Sequence, residues 1–167
     1  MIEIVLWLIL SYFMMSLIEY GLHRYPMHNL QWVTRWKVAR ATFERHAVLH
    51  HGRWFKTFDK EDDIAAKHVS LVLNPIENLL GLSPVLFLLY FLVSPVACYT
   101  FGAFVAAHAL VWTVIHSEMH MPRGRWFAKT RLFQALRAYH KTHHEHPRTN
   151  FNIVCLGTDH LFGTYRP

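Results

Sequence analysis

Long apolar runs alternate with polar, histidine-bearing stretches along this 167-residue chain. The first run, IEIVLWLILSYFMMSLIEYGL, covers 2–22, and about twenty apolar residues are enough for a helix to cross a bilayer. Two further runs, IENLLGLSPVLFLLYFLV and VACYTFGAFVAAHALVWTVI, cover 76–93 and 96–115. Together they are too long for one span, so they predict a helical hairpin that turns at Ser94-Pro95.

The first run also has the length of a signal peptide. It lacks a basic start and a small-residue cleavage site, and it continues directly into HRYPMH. We therefore expect it to be retained as a transmembrane helix. The alternative, a soluble protein with three buried core helices, fits poorly because runs so long and so free of charge are unusual in so small a soluble domain.

Basic residues mark one side of this arrangement. Every lysine and arginine lies within 24–67 or 123–166, and the Ser94-Pro95 turn has none nearby. One crossing followed by a returning hairpin places 23–70 and 116–167 on the same side, which the positive-inside rule makes the cytoplasm. The sequence thus predicts a single-domain (1–167), all-α integral membrane protein with about three crossings and a cytoplasmic helical cap.

Composition narrows the class of protein. The net charge is +6 and 53% of residues are hydrophobic, a mixture that suggests a membrane protein with basic flanks. No basic block carries interleaved aromatic residues, so we expect no nucleic-acid partner. Cys98 and Cys155 are far apart and form no C-x-x-C motif, so they indicate neither a disulfide framework nor a thiolate metal site.

The fourteen histidines are the unusual feature, and ten of them fall into four groups on the predicted cytoplasmic side. If their segments are helical, the pairs and triplets at i, i+3 and i+4 lie on one helix face, and HKTHH should point three ring nitrogens the same way. The exception is the first pair, which is five residues apart with Pro26 between and needs a helix end or turn to converge. The ten are His23, His28, His46, His50, His51, His116, His120, His140, His143 and His144.

Neutral imidazole is a common metal ligand, and ten imidazoles suit two metal ions with four or five ligands each. They are too many for one tetrahedral zinc ion. Imidazole binds zinc, iron, copper and nickel alike, so the ligand set predicts a dinuclear site without naming the metal.

The order H-x4-H, H-x3-H-H, H-x3-H, H-x2-H-H resembles the signature of the membrane-bound fatty acid hydroxylase and sterol desaturase superfamily. EYGLHRYPMH is similar to its first histidine box, and NFNIVCLGTDHLFGTY to its closing stretch. The second box departs from many members, because three residues separate its first two histidines where two are usual. The resemblance covers the chain from Glu19 onward.

The resemblance implies a non-haem di-iron centre that uses O2 and two electrons to hydroxylate or desaturate a lipid C–H bond. Two iron ions would be the cofactor and the ten histidines their ligands. The chain has no His-Pro-Gly-Gly stretch and no room for a cytochrome b5 domain. The expected partners are therefore a lipid substrate and a separate electron donor of cytochrome b5 or ferredoxin type with its reductase, docking on the basic cytoplasmic face.

Four polar residues near the histidine groups are candidates to orient a ligand imidazole through hydrogen bonds: Glu118, Glu145, His146 and Asp159. The alternative is a solvated carboxylate for Glu118 and Glu145, an interfacial polar residue for His146, and a cap of local backbone for Asp159. His108 lies inside the third apolar run, where an ionisable group is a functional candidate by default, and the alternative is a neutral histidine that is hydrogen-bonded to a neighbouring helix. The amphipathic pattern of 130–144 predicts a helix on the membrane surface.

Several other functions remain open. Within the superfamily these are a desaturase or a carotenoid hydroxylase, although seventeen residues separate His28 from His46 and the carotenoid type has a much shorter gap. Outside it, a metal transporter or metal-storage membrane protein would need ligands near the bilayer midplane, where only His108 is expected. A b-type haem protein would need two facing histidines within the spans.

Overall fold

The computed structural model describes residues 1–29, 31, 36–59 and 71–167, and every regular element in these ranges is helical. The basic stretch 24–67 therefore lies partly outside the described residues. Helix α1 (Ile2–Leu22) continues directly into a first π-helix (His23–Met27). Helix α2 (Lys37–Phe43) likewise continues into a second π-helix (Glu44–Trp54).

The predicted hairpin is present, and its turn lies at Ser94 as expected. The first arm comprises α3 (Pro75–Gly81), α4 (Ser83–Leu88) and a short π-helix (Leu89–Val93), and the second arm is the 26-residue α5 (Pro95–His120). Ser94 Oγ accepts a hydrogen bond of 3.1 Å from the backbone N–H of Ala97, and Pro95 occupies the first turn, where its missing N–H costs nothing.

The first arm is not the single straight helix that its apolar run predicts. It bends by 62° between Gly81 and Ser83. Pro84 has no N–H to donate to the carbonyl of Leu80, and its ring would clash with that carbonyl in a continuous helix. The hydroxyl of Ser83 donates to the Leu80 carbonyl instead, at 2.7 Å, so the break leaves that acceptor satisfied.

Within the described ranges, two helical stretches, Ile2–Met27 and Pro95–His120, are long and apolar enough to cross a membrane, and the bent pair makes a third span if it crosses as one unit. Large apolar side chains stand exposed along α1, α4 and α5. Such a wide apolar surface requires an apolar environment or partner. The all-helical architecture with two to three candidate spans agrees with the sequence prediction.

Of the three apolar clusters among the described residues, two hold the long helices together. One joins α1, the first hairpin arm and α5 around Met15, Leu89 and Phe101. The other joins α5 to α6 (Arg131–Glu145) around Trp112 and Phe133. Helix α6 covers the predicted amphipathic stretch 130–144, and it starts at Thr130, whose hydroxyl accepts from the N–H of Phe133.

An irregular C-terminal segment (150–164), which includes the one-turn α7 (Thr158–Leu161), docks along α1. The hydroxyl of Tyr12 donates to the Leu156 carbonyl at 2.9 Å, and Ser16 Oγ accepts from the N–H of Thr158 at 3.2 Å. Glu19 accepts hydrogen bonds from two further N–H groups of the segment. Because non-helical backbone beside a membrane span needs internal hydrogen-bond partners, these polar side chains of α1 make the docking possible.

Candidate metal centre

The ten predicted histidines meet at one end of α1 and α5, where they form two adjacent clusters. In the first cluster, all the nitrogen atoms offered to a metal lie within 4.8 Å of one another, and the same holds in the second. The first cluster consists of His23, His28, His46, His51 and His143. The second consists of His50, His116, His120 and His140. His144 forms a third group with His50 and His51, and its ring stacks on that of His51 at 3.9 Å, so it lies between the two clusters.

The two π-helices explain how the first cluster forms. Hydrogen bonds from i to i+5 widen the helix, so residues five apart come to lie on the same side. His23 and His28 are such a pair, with ring centroids 5.1 Å apart, and His46 and His51 are another, at 4.8 Å. An α-helix would not bring His23 and His28 together, because they are five residues apart with Pro26 between them. The π-helix brings them together instead.

The same geometry overturns one sequence-based grouping. His46 and His50 have the i, i+4 spacing that places two residues on one face of an α-helix, but His46 belongs to the first cluster and His50 to the second. Their rings are parallel and 5.1 Å apart. The consecutive residues His50 and His51 therefore face different clusters. In the π-helix it is His51, five residues after His46, that lies on the same side of the helix as His46.

Helix α6 also serves both clusters. The sequence predicts that His140, His143 and His144 converge on one point, whereas His140 joins the second cluster and His143 the first. The three do share one helix face, but positions three and four apart are about 5 Å from each other along that face. The helix lies across the boundary between the clusters, so one turn of it supplies both.

Three ligand candidates are oriented by backbone carbonyl groups. Nδ1 of His23 donates to the carbonyl of Phe151, Nδ1 of His120 to that of Phe58 at 2.8 Å, and Nδ1 of His143 to that of Thr149 at 2.7 Å. A carbonyl oxygen can only accept, so each Nδ1 carries the proton and each Nε2 presents a lone pair. Such bonds fix the tautomer and ring orientation that a metal ligand requires.

The clusters are electrostatically suited to a cation. Burial lowers the pKa of seven of these histidines well below the ordinary value, and the neighbouring imidazoles lower it further. These seven are therefore neutral and can bind a metal ion: His28, His46, His50, His51, His140, His143 and His144. Nε2 of His140 lies 3.0 Å from Nε2 of both His116 and His120. Lone pairs this close repel one another unless a proton or a metal ion lies between them, and the donor set therefore fits bound metal.

Asp159 acts on this centre through the backbone. Its carboxylate is fully buried and accepts four hydrogen bonds, two from the N–H groups of Phe151 and Asn152 and two from the hydroxyls of Tyr139 and Thr164. The carbonyl of Phe151 in turn accepts from His23. Asp159 thus holds the peptide that orients a ligand candidate and does not contact the imidazole itself.

The other three predicted orienting residues contact different groups. Oε1 of Glu118 accepts from the N–H groups of Arg123 and Arg125, at 3.0 and 3.2 Å, and so orders the loop that follows His120. Glu145 is exposed, and His146 forms hydrogen bonds to Thr142 and Thr149 through its backbone N–H and carbonyl groups. Among the described contacts, none joins these three side chains to a histidine of the two clusters.

Sequence reasoning missed the carbonyls of Phe58, Thr149 and Phe151. Phe58 adopts φ 64°, a left-handed conformation that no residue type near it signals. A signal for the segment that carries Phe151 was present in α1, where Tyr12, Ser16 and Glu19 form a polar stripe at i, i+4 and i+7.

An open cavity of about 50 Å³ is lined in part by His46 of the first cluster. Its walls are mainly apolar, and Thr42 and Arg45 supply polar groups. The lining residues are Met27, Thr42, Arg45, His46, Val72, Leu73 and Trp112.

The fold and the site together define a helical protein with candidate membrane spans and a buried polyhistidine centre able to bind metal. The family model for fatty acid hydroxylase matches residues 8–164, and the chain belongs to this family of histidine-box membrane enzymes. The resemblance predicted from the histidine boxes is thereby confirmed. Neither the curated proteins nor the solved structures contain a significant match to the chain.

Proposed function

We propose that this protein is an O2-dependent, non-haem di-iron lipid hydroxylase that acts on a C–H bond of a fatty acyl chain, a sterol or a related lipid. One observation carries the proposal: ten imidazoles of a fatty acid hydroxylase family member, seven of them buried, come together at the end of its long apolar helices as two adjacent clusters with His144 between them. The whole chain, 1–167, would act as a single domain.

Each cluster would hold one iron ion. The first cluster offers five imidazole ligands, and the second offers four together with His144 at its border. Iron with O2 supplies the oxidation of an unactivated C–H bond, and the chain supplies binding, orientation and exclusion of water. The carbonyls that orient His23, His120 and His143 hold three ligands in place, and burial keeps the imidazoles neutral.

The lipid would approach from the membrane side of the clusters. The cavity at His46 has apolar walls, and Trp112 on α5 packs against His116 with ring centroids 4.2 Å apart. Arg45 at this cavity suits a lipid whose polar head carries oxygen atoms, because guanidinium groups bind such acceptors well.

The electrons would come from a separate carrier of cytochrome b5 or ferredoxin type with its reductase. Exposed basic residues surround the histidine clusters, among them Arg53, Lys56 and Lys141. A basic face steers an acidic partner and speeds its association. By the positive-inside rule this face and the active site would be cytoplasmic.

The test is incorporation of 18O from 18O2 into lipids by membranes that carry the protein, a reductase and an electron carrier. We expect labelled hydroxylated lipid, and we expect its loss in His120→Ala and His140→Ala variants. His160→Ala is the matched control, because His160 is exposed and outside both clusters. Oxidation without O2, or in the His120→Ala/His140→Ala double variant, would contradict the proposal.

The same assay separates the alternatives. A desaturated product without label would identify a desaturase, and a labelled carotenoid would identify a carotenoid hydroxylase. Metal uptake without any lipid product would favour a metal transporter or a metal-storage protein.

A further inference from the structure

A further group of possible metal ligands lies apart from the histidine clusters, between α1, α5 and the C-terminal segment. It consists of Glu19, His108 and Cys155, each from a different one of these three elements. All three are buried, and their ligand atoms lie within 4.8 Å of one another. On α5, His108 precedes His116 by eight residues, which is about 12 Å of helix.

Each of the three side chains has an atom available to bind a metal ion. Nε2 of His108 lies 3.8 Å from a carboxylate oxygen of Glu19, and among the described residues it has no hydrogen-bond partner, although the residue is only 7% exposed. Glu19 accepts from the N–H groups of Val154 and Cys155, yet a carboxylate has about four acceptor positions. Cys155 is a free thiol at 2% exposure.

Charge makes a cation the natural partner here. The surroundings are apolar, including Met15, Phe101 and Val105. A carboxylate, a thiolate and a neutral imidazole around a divalent ion give a site with no net charge, which is the form that tolerates burial. Burial, with a contribution from Glu19, raises the pKa of the Cys155 thiol to about 12, so the thiol proton is released only when a metal ion takes its place.

We propose that Glu19, His108 and Cys155 form a separate site for a zinc-like divalent transition-metal ion. The mixed N, O, S donor set suits zinc, in contrast to the all-imidazole clusters. The bound ion would tie α1 and α5 to the C-terminal segment, whose Phe151 carbonyl orients His23. The proposal depends neither on iron in the clusters nor on lipid oxidation.

Cobalt(II) provides the test, because a thiolate bound to cobalt gives a sulfur-to-metal charge-transfer band in the near ultraviolet, and imidazole ligands give none. Cobalt is added to the metal-free full chain in mild detergent, and absorbance and bound metal are measured. We expect the band in the unchanged protein and its loss in Cys155→Ser, with one fewer ion bound per chain. His108→Gln, which keeps the thiol, should weaken cobalt binding at this site by at least tenfold.

Cys98→Ser is the matched control, because Cys98 is also a free thiol but lies in the first turn of α5, ten residues before His108. The Cys98→Ser protein should keep both the band and the ion. Absence of the band from the unchanged protein under saturating cobalt would overturn the proposal even if the variants fail to fold. So would an unchanged metal count in a folded Cys155→Ser protein. Loss of lipid oxidation with the band intact would count against the proposed enzyme activity and not against this site.

Discussion

The replacement Asp159→Asn tests whether the C-terminal segment holds the first cluster in shape. The side chain keeps its size but exchanges one acceptor oxygen for an NH2 donor. In either amide orientation the new donor faces the N–H of Phe151 or Asn152, which now donate to separate carboxylate oxygens at 2.9 and 2.7 Å. The hydroxyls of Tyr139 and Thr164 can rotate to accept, whereas a backbone N–H cannot.

The expected loss in the free energy of unfolding follows from this contact between two hydrogen-bond donors. A hydrogen bond to a charged acceptor contributes about 1.5–3 kcal/mol, and a buried donor left without a partner costs about 1–3 kcal/mol more. Part of each cost relaxes away, so we expect the free energy of unfolding to fall by about 3–4 kcal/mol. Because the displaced Phe151 peptide also accepts from His23, metal affinity of the first cluster should fall by about 10–100-fold.

The assay is chelator competition on metal-loaded protein in detergent, with thermal unfolding measured in parallel. The ion of the first cluster should become labile. The ion of the second cluster should be retained, because the histidines of that cluster form no hydrogen bond with residues 149–151. Glu145→Gln is the control, because this carboxylate is exposed beside two ligand candidates, and it should change neither quantity. Asp159→Asn protein with the unfolding midpoint and metal retention of the unchanged chain would refute the reasoning.

Two further predictions concern proton binding and backbone conformation. Since the pKa of buried histidines such as His46 and His143 is lowered by burial, the unfolded chain binds more protons than the folded one below about pH 6.5. The free energy of unfolding of metal-free protein should therefore be level above that pH and fall below it, by up to about 1.4 kcal/mol per pH unit for each such histidine. Denaturant titrations at pH 7.5 and 5 check this, and equal midpoints would contradict it. Asn150, at φ 53°, exchanges hydrogen bonds with Arg166 and donates to the Tyr139 carbonyl. Asn150→Ala should cost about 2–4 kcal/mol in thermal unfolding, and Asn150→Gly should cost less because glycine tolerates this conformation. The reverse order would show that the conformation does not matter.

Hydropathy and turn residues were sufficient to predict the long elements. The apolar run from 2 to 22 is α1, and Ser94-Pro95 is the hairpin turn because a hydroxyl cap and a proline both favour a helix start. The bend in the first arm was also encoded, in the order Ser83-Pro84, but a window average of hydropathy does not register a single missing N–H.

The histidine set was predictable from the sequence, but its division between two clusters was not. An i, i+4 spacing describes an α-helix, and the pairing of His46 with His51 depends on a π-helix. Short-range propensities do not distinguish the two helix types, because both have similar backbone angles and differ in whether the N–H donates to the carbonyl four or five residues back. The carbonyl groups that orient the histidines are equally hidden, since every residue has one.

The docking of the C-terminal segment on α1 has a consequence for biosynthesis. Contacts such as that of Ser16 with Thr158 and that of His23 with Phe151 join residues 142 and 128 positions apart. A ribosome that has completed α5 has produced the candidate spans found among the described residues but neither complete histidine cluster, since α6 and the carbonyls at 149 and 151 are still to come. Both clusters can therefore be completed only after residues 131–151 have been made, so metal loading of these clusters would belong to the last stage of the chain's maturation.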